Sequence, residues 1–425
     1  MRARLVLISG LLMAMSAPSA LAQVGSAGEG MFARDRNESV LQRPRPEYDS
    51  GGTQVGAFIY KPSVVVGLEY TDNVFAASDQ EQEDVVAVFN PSIAAQSTWS
   101  RHGFSADASA TRREYLDFSD ESVWNYDVGA LGRLDFVRNT FVEVAGTYAH
   151  LTEPRTSAGA AGQAAEPIEY DTGLIGAEFQ RTVNRIRLQA GADWSTRDYD
   201  DAVLFGGGVA DQDFRDRDQM LYQVRGDYAV SPDTALFARI KYNDRDYDLS
   251  PPSVPLLRDS EGYVAEVGAD FDLGGVARGA VAVGYLEQDY ESAAFSTIDG
   301  ISVDALVEWF PTQLTTVTFR GGRSVEDAAI QGAAGYLSTN VSATVDHELR
   351  RNLIVSATVQ LSEDDYDGID RTDERFNAEL AATYFLNRNI GVRASVNHFR
   401  QDSSGAVGNQ DYEVNRVAVS LVWSL

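Results

Sequence analysis

From Ser63 to its end, this 425-residue chain repeats one pattern, in which apolar and polar side chains alternate along short runs that are separated by turns. Each run is roughly ten to fifteen residues long, as expected of transmembrane β-strands. Residues 222–228, 301–309 and 376–384 show the alternation clearly. Successive side chains of a strand point to opposite faces, so one face of each run is apolar and the other polar. We expect the apolar face to contact lipid and the polar face to line a lumen.

The breaks between runs are of two kinds, and the two kinds alternate. The short breaks are 100–102, 137–139, 182–184, 231–233, 273–275, 311–313, 350–352 and 387–389, and the long breaks are 72–84, 117–122, 152–166, 200–213, 249–257, 292–297, 327–335, 367–373 and 401–410. Bacterial outer-membrane barrels have short periplasmic turns and longer extracellular loops. The pattern therefore predicts an all-β fold, a transmembrane antiparallel up-and-down β-barrel of eighteen strands, with both termini in the periplasm. A miscounted break would leave sixteen.

The last ten residues fit the end of such a barrel. Val417, Val419, Leu421, Trp423 and Leu425 fall on one face of an extended strand. This ending resembles the C-terminal signal that the barrel-insertion machinery reads, with Trp423 and Leu425 at its key positions, although Leu stands where Phe is usual. The last strand of a soluble sandwich would show the same alternation, so this segment alone decides nothing.

The N-terminus predicts export. Residues 1–22 combine an early positive charge, an apolar run and a small-residue cleavage pattern, which are the parts of a signal peptide. Residues 23–62 are polar and contain two prolines at 43–49, so we interpret them as an extended periplasmic leader ahead of a barrel at 63–425. The predicted location is the bacterial outer membrane.

Composition excludes several classes of function. The chain has no cysteine, so it has no disulfides or thiol chemistry. Its formal net charge of −28 argues against nucleic acid as a partner. It contains no phosphate-binding loop, no zinc-protease or EF-hand motif, and no spacing that suggests a catalytic triad. We therefore expect no enzyme, no metal and no cofactor. The leader is also too short to form the folded plug of a TonB-type transporter.

Aromatic residues recur at both ends of the predicted strands, where they would anchor the barrel at the membrane interfaces. Phe136, Phe179, Tyr228, Phe271, Trp309 and Tyr384 are expected at the periplasmic side, and Trp194, Tyr242 and Tyr285 at the extracellular side.

A second set of tyrosines lies further along the strands, beyond the extracellular interface. The set comprises Tyr115, Tyr199, Tyr247, Tyr290 and Tyr366, each of which follows an acidic residue. One hypothesis is a ring of tyrosines and carboxylates at the extracellular mouth that stacks on sugars or filters cations. The alternative is cross-strand pairing above the bilayer.

Opposite charges mark the lumen face of successive strands. The acids Glu178, Asp227, Asp270, Glu308 and Glu379 lie on descending strands, and the bases Arg187, Arg239, Lys241, Arg278, Arg320 and Arg393 on ascending ones. Pairing across the short-turn hairpins would bring Glu178 near Arg187, Asp227 near Arg239, and Asp270 near Arg278. Such pairs would stabilise strand register, and in a channel they would also influence selectivity.

Motifs near the start of the chain resemble a known family. They are RPRPEYD at 43–49, GAF at 56–58, Pro62, EYTDNVF at 69–75, FNP at 89–91 and WSRH at 99–102. Together they resemble the putative β-barrel porin type 2 family of proteobacterial outer-membrane proteins. Members often accompany genes for exopolysaccharide or capsule synthesis and export, which implies a role in passing or anchoring polysaccharide.

The sequence thus predicts a porin-like channel, with saccharide or exopolysaccharide as the expected cargo. The alternative is a structural or adhesive barrel whose lumen is filled by loops and whose rim binds cell-surface polysaccharide. The expected partners are outer-membrane lipid and lipopolysaccharide, the barrel-insertion machinery, and a saccharide or polysaccharide.

Overall fold

The computed structural model describes residues 38–157, 164–248, 257–328, 330, 332–407 and 410–425. The predicted signal peptide, the first part of the leader and parts of the long breaks at 152–166, 249–257, 327–335 and 401–410 lie outside them. Within the described residues, eighteen long strands form one antiparallel sheet. They are β1 Phe58–Thr71, β2 Asp84–Ser97, β3 Gly103–Tyr115, β4 Val123–Val137, β5 Thr140–Thr152, β6 Glu169–Val183, β7 Ile186–Tyr199, β8 Arg217–Ser231, β9 Thr234–Tyr247, β10 Ser260–Leu273, β11 Ala277–Tyr290, β12 Ile298–Thr312, β13 Thr315–Asp327, β14 Gly335–Arg350, β15 Leu353–Tyr366, β16 Thr372–Phe385, β17 Ile390–Ser404 and β18 Tyr412–Ser424.

Each strand pairs with its neighbours in chain order, and the last strand closes the barrel on the first. In the β1–β18 pair, Val64 lies opposite Trp423 and Thr71 opposite Arg416. The predicted eighteen-stranded antiparallel barrel is confirmed. The connections between its strands alternate between short turns and long loops, as the breaks in the sequence predicted. We call the rim with the short turns the short-turn end and the rim with the long loops the long-loop end. Two short 3₁₀ turns, Ser119–Glu121 and Asp213–Arg215, lie in the loops, and among the described residues no helix is long and apolar enough to cross a membrane.

The first strand starts at Phe58, earlier than the predicted Ser63. Residues 58–62 pair with β2 beyond the end of β18, and a short strand at Thr53–Val55 continues the sheet there. The sequence pattern did not predict this start, because Pro62 interrupts it and proline is rare inside strands. Here its carbonyl accepts a hydrogen bond from the backbone of Leu425, at 3.1 Å.

The two faces of the sheet are segregated as the alternation predicted. Val224, Ile240 and Val267 point outward and are each about three-fifths exposed. Aromatic anchors such as Trp194 and Trp309 also lie on this outer surface. The inner face carries the polar positions. An apolar outer face on a closed barrel is the arrangement that lipid requires.

One hairpin leaves the barrel wall and folds into the lumen. The pairing of β12 with β13 ends at Asp304 and Gly322, whereas β13 stays paired with β14 as far as Asp327 and Gly335. Beyond the point of separation, Val325 and Leu337 pack against the lumen-facing residues Leu286, Tyr290 and Ile298 of β11 and β12. We call residues 323–328 and 332–337 the inward hairpin. It narrows the lumen near the long-loop end.

The leader also enters the lumen, at the opposite rim. Residues 38–49, which we call the leader segment, contact lumen-facing groups and turns between β11 and β16. Val40 is completely buried there. Both ends of the barrel are therefore narrowed by the chain itself.

Candidate functional site

Arginines and carboxylates form a network on the lumen face of β7, β8 and β10, towards the short-turn ends of these strands. Asp227 is almost fully buried and binds both Arg187, at 2.9 Å, and Arg225, at 2.7 Å. The second carboxylate, Asp270, lies 3.6 Å from each of these guanidinium groups. Each buried charge thus has a partner of opposite sign, as burial requires.

A second network lies on the next strands. Arg239 binds Glu266 at 2.5 Å and Asp304 at 2.6 Å, and Ser302 donates a hydrogen bond to Glu266 at 2.6 Å. Further towards the short-turn end, Arg278 binds Glu308.

The strand register places other residues directly opposite the acidic members of the three predicted charge pairs. Across the short-turn hairpins, Gly191 lies opposite Glu178, Phe237 opposite Asp227, and Ala280 opposite Asp270. The ionic partners face each other instead across the neighbouring strand pairs, which the long loops join. Arg187 lies opposite Asp227, Arg239 opposite Glu266, and Arg278 opposite Glu308.

The other predicted lumen charges have varied surroundings. Glu178 accepts a hydrogen bond from Gln189 at 3.0 Å, and Glu379 binds Arg393 at 2.7 Å. Lys241 lies on the lumen face of β9, two residues beyond Arg239, and Arg320 on β13 is exposed.

The predicted tyrosine set lies at the long-loop end on the lumen side. Tyr247, Tyr290 and Tyr366 are more than nine-tenths buried, and Tyr115 and Tyr199 are partly buried. Two of the five form cross-strand pairs with tyrosines that sequence reasoning missed. Tyr199 stacks on Tyr170 with ring centroids 5.0 Å apart, and Tyr366 lies 4.9 Å from Tyr336. Tyr412 is a third missed tyrosine at this end and is also buried.

Sequence reasoning also missed a group of arginines beside these tyrosines. Arg197 and Arg217 lie directly opposite each other on β7 and β8, and Tyr247 lies opposite Arg217 on its other side. Arg245 and Arg258 complete the group, and the Arg258 guanidinium lies 4.6 Å from the ring of Tyr247. Like charges placed opposite each other destabilise a sheet, so this arrangement calls for an explanation beyond strand pairing. The sequence did contain a signal: β7, β8 and β9 each carry an arginine near the long-loop end, at a position whose side chain faces the lumen.

The long loops are tied together above this group. Arg215 binds Glu153 of the neighbouring loop at 2.6 Å, and its guanidinium lies 3.9 Å from the ring of Tyr199. Asp216 accepts a hydrogen bond from the backbone of Tyr199 at 2.7 Å. Burial nevertheless raises the pKa of Asp216 to about 6.

At the short-turn end, the leader segment is held by ionic and polar contacts. The buried Arg45 binds Glu348 at 3.2 Å and the carbonyl of Val40 at 2.6 Å. The backbone of Val40 donates to Thr316 at 2.9 Å, and Arg351 donates to the carbonyl of Pro44 at 3.2 Å. Burial lowers the pKa of Arg45, and the charge of Glu348 partly offsets this effect. The segment is thus built into the rim.

One family model matches most of the chain. The family model described as putative beta-barrel porin 2 matches residues 45–424. No curated protein matches the chain.

Among solved structures, similar chains come from Pseudomonas aeruginosa. The ferric enterobactin receptor PfeA has 8% identity and a TM-score of 0.47, over 89% of this chain and 83% of that chain. The outer membrane protein OpdK, solved with vanillate, has 14% identity and a TM-score of 0.44, over 86% of this chain and 99% of that chain. The siderophore receptor PirA has 10% identity and a TM-score of 0.44, over 88% and 81% respectively.

Proposed function

The chain belongs to the putative beta-barrel porin 2 family of outer-membrane barrels, and from this we propose that it is a non-enzymatic channel through which saccharides, including exopolysaccharide, cross the bacterial outer membrane. In this proposal the short-turn end and both termini face the periplasm, the signal peptide is removed, and the barrel-insertion machinery reads Trp423 and Leu425. Lipid and lipopolysaccharide surround the barrel.

One observation carries the proposal: an apolar outer surface encloses a lumen lined by charged and polar side chains. Val224 and Val267 point outward, whereas Asp227, Glu266 and Asp270 point inward. A barrel filled for stability alone has no need of so many buried ion pairs, because replacing such pairs with apolar side chains is often neutral or stabilising. A polar wall suits the passage of hydrated solutes.

Conductance tests this function directly. The mature protein, purified in detergent and inserted into planar bilayers, is expected to give stable ohmic single-channel steps that malto-oligosaccharides block. The absence of conductance from protein that runs as a folded barrel on unheated gels would refute the channel.

The tyrosines at the long-loop end allow a sharper test. If they contact passing sugars, the triple replacement Tyr199→Ala, Tyr247→Ala and Tyr290→Ala weakens oligosaccharide block. The matched control replaces three tyrosines of the outer surface, Tyr222, Tyr263 and Tyr285, which should leave block unchanged. Unchanged block in the first variant would restrict the tyrosines to strand pairing.

The inward hairpin and the leader segment favour a second candidate, because both occupy space in the lumen. In that case the barrel is a structural or adhesive element whose long-loop end binds cell-surface polysaccharide. Two results together would favour this candidate over the channel. The folded protein would show no conductance, and cells would lose bound polysaccharide when the gene is deleted.

A further inference from the structure

The first strand of the inward hairpin, β13, ends at a carboxylate, Asp327, that lies among arginines. Asp327 is bound by Arg245 at 2.7 Å and also contacts Arg217. Arg245 also donates to the backbone carbonyl of Val325 at 2.9 Å. Arg258 donates to the carbonyl of Ala328, immediately after Asp327. The hairpin thus meets the arginine group through carbonyl oxygens and a carboxylate, and the carboxylate is the stronger acceptor for a guanidinium group.

Positive charge exceeds negative charge at this place. Arg217, Arg245 and Arg258 contact the tip of the hairpin, and Arg197 lies opposite Arg217. Among the described residues, Asp327 is the one carboxylate in ion-pair contact with any of these four arginines. Arg217, Arg245 and Arg258 are each more than nine-tenths buried. A buried surplus of charge is costly, so it persists where function requires it.

Hydrogen-bond donors are also in surplus. In the described part of the chain, no acceptor reaches Nε of Arg245, Nε of Arg258, or the hydroxyl groups of Tyr247 and Tyr290, although all four atoms are buried. Both tyrosines are likewise more than nine-tenths buried. Buried polar groups without a partner are exceptional in folded proteins. Four of them in or beside the arginine group mark a place where a larger acceptor group fits better than Asp327 alone.

We propose that Arg217, Arg245, Arg258, Tyr247 and Tyr290 form a binding site for the carboxylate of an acidic saccharide, and that Asp327 is a tethered carboxylate that occupies the site until such a solute displaces it. The proposal rests on the proposed function of saccharide passage and specifies the class of saccharide. A uronic acid offers the carboxylate that Asp327 now supplies, together with ring oxygens that accept from the free donors.

Displacement would also affect the lumen, because Asp327 belongs to the inward hairpin. The upper part of β13 has separated from β12. The hairpin is held by the polar contacts to Arg217, Arg245 and Arg258 and by the apolar contacts of Val325 and Leu337 with β11 and β12. An acidic sugar that takes over the arginines removes the first set of contacts. Its binding and the widening of the lumen are therefore coupled.

Single-channel recording with one charged and one uncharged trisaccharide tests the site. Trigalacturonate is expected to block the wild-type channel at a concentration about tenfold lower than maltotriose, because a charge-assisted contact distinguishes them. Arg245→Gln should abolish this preference. Asp327→Asn should strengthen trigalacturonate block about tenfold, since the competing charge is gone. Arg400→Gln, which alters an exposed arginine paired with Asp402, is the matched control and should behave as wild type.

The outcomes separate this inference from the proposed function. Conductance with equal block by both sugars, or a preference that survives Arg245→Gln, overturns the acidic-saccharide site and leaves the channel intact. Absence of conductance refutes the channel, and calorimetry on the folded barrel in micelles then decides the site: trigalacturonate binding that Arg245→Gln abolishes supports it, and no binding overturns it. Should Arg245→Gln fail to fold, the opposite effect expected of Asp327→Asn remains decisive.

Discussion

Glu348→Ala should release the leader segment from the short-turn end. Arg45 is 3% exposed, and its ionic partner in the barrel wall is Glu348 at 3.2 Å. The same carboxylate lies 3.6 Å from Arg43 and from Arg351, so one substitution removes the partner of three arginines.

The expected effect on docking is large. Removing one partner of a buried ion pair costs about 3–5 kcal/mol, because the other charge stays buried without compensation. The leader segment can avoid that cost by moving into water, where Arg45 is hydrated. At about 1.4 kcal/mol per factor of ten, the population with an undocked leader rises by roughly two to three and a half powers of ten. The remaining contacts, such as the hydrogen bond from Val40 to Thr316, contribute about 1 kcal/mol each and do not compensate.

A single thiol reports this change, since the chain contains no cysteine. Val40→Cys places the thiol at a position with no exposed surface, and Gln54→Cys provides an exposed reference. Maleimide should label Cys at position 40 at least a hundred times more slowly than the reference in the otherwise native barrel. Adding Glu348→Ala should remove most of that protection.

The control substitution is Glu374→Ala, which removes an exposed carboxylate and should leave the labelling rates unchanged. Equal protection of position 40 with and without Glu348 would refute the reasoning, because it would mean that the ion pair does not hold the leader segment in the rim.

Three further predictions concern stability. Burial raises the pKa of Asp216 to about 6, so the folded state favours the protonated carboxyl group. The stability that this protonated form contributes should be fully present below about pH 4 and lost as the pH rises through 6. Thermal unfolding followed by circular dichroism should thus show Asp216→Asn stabilising the protein at pH 7.5 but not at pH 4, and an equal effect at both would contradict the shift. Asp227→Asn weakens the pairing of Arg187 and Arg225 and should lower the free energy of unfolding by about 3 kcal/mol in urea titrations. Val267→Arg places a charge on the outer face and should cost about 2–4 kcal/mol when folding is measured into lipid vesicles, whereas no loss there would argue against lipid contact.

The strand count and the direction of each face were predictable from the sequence because both depend on local patterns. Alternation with period two determines which face a side chain joins, as at Val224 and Asp227, and turn residues mark the ends of strands. The pairing of the last strand with the first, seen at Val64 and Trp423, is also what a closed barrel with an even number of strands requires. The start at Phe58 did not follow, because Pro62 interrupts the pattern.

The ion pairs of the lumen were not predictable to the same degree. Register across a short turn is set by the turn, but Arg187 meets Asp227 across a loop of many residues whose geometry the pattern does not contain. The inward hairpin was even harder to predict from the sequence. Val325 and Leu337 alternate like residues that face lipid, and their burial in the lumen depends on the separation of β13 from β12, which is a tertiary event.

The leader segment has a consequence for the order in which the barrel assembles. Arg45 and Glu348 lie 303 residues apart in sequence, so an early part of the chain binds a strand that is synthesised much later. Contacts between such distant residues form late, because the intervening chain must be ordered first. We therefore expect the wall of the barrel to close before the leader segment docks at the short-turn end. In that order of assembly the leader segment can dock only once β13 and β14 are in place, because these strands carry Thr316 and Glu348, to which it binds.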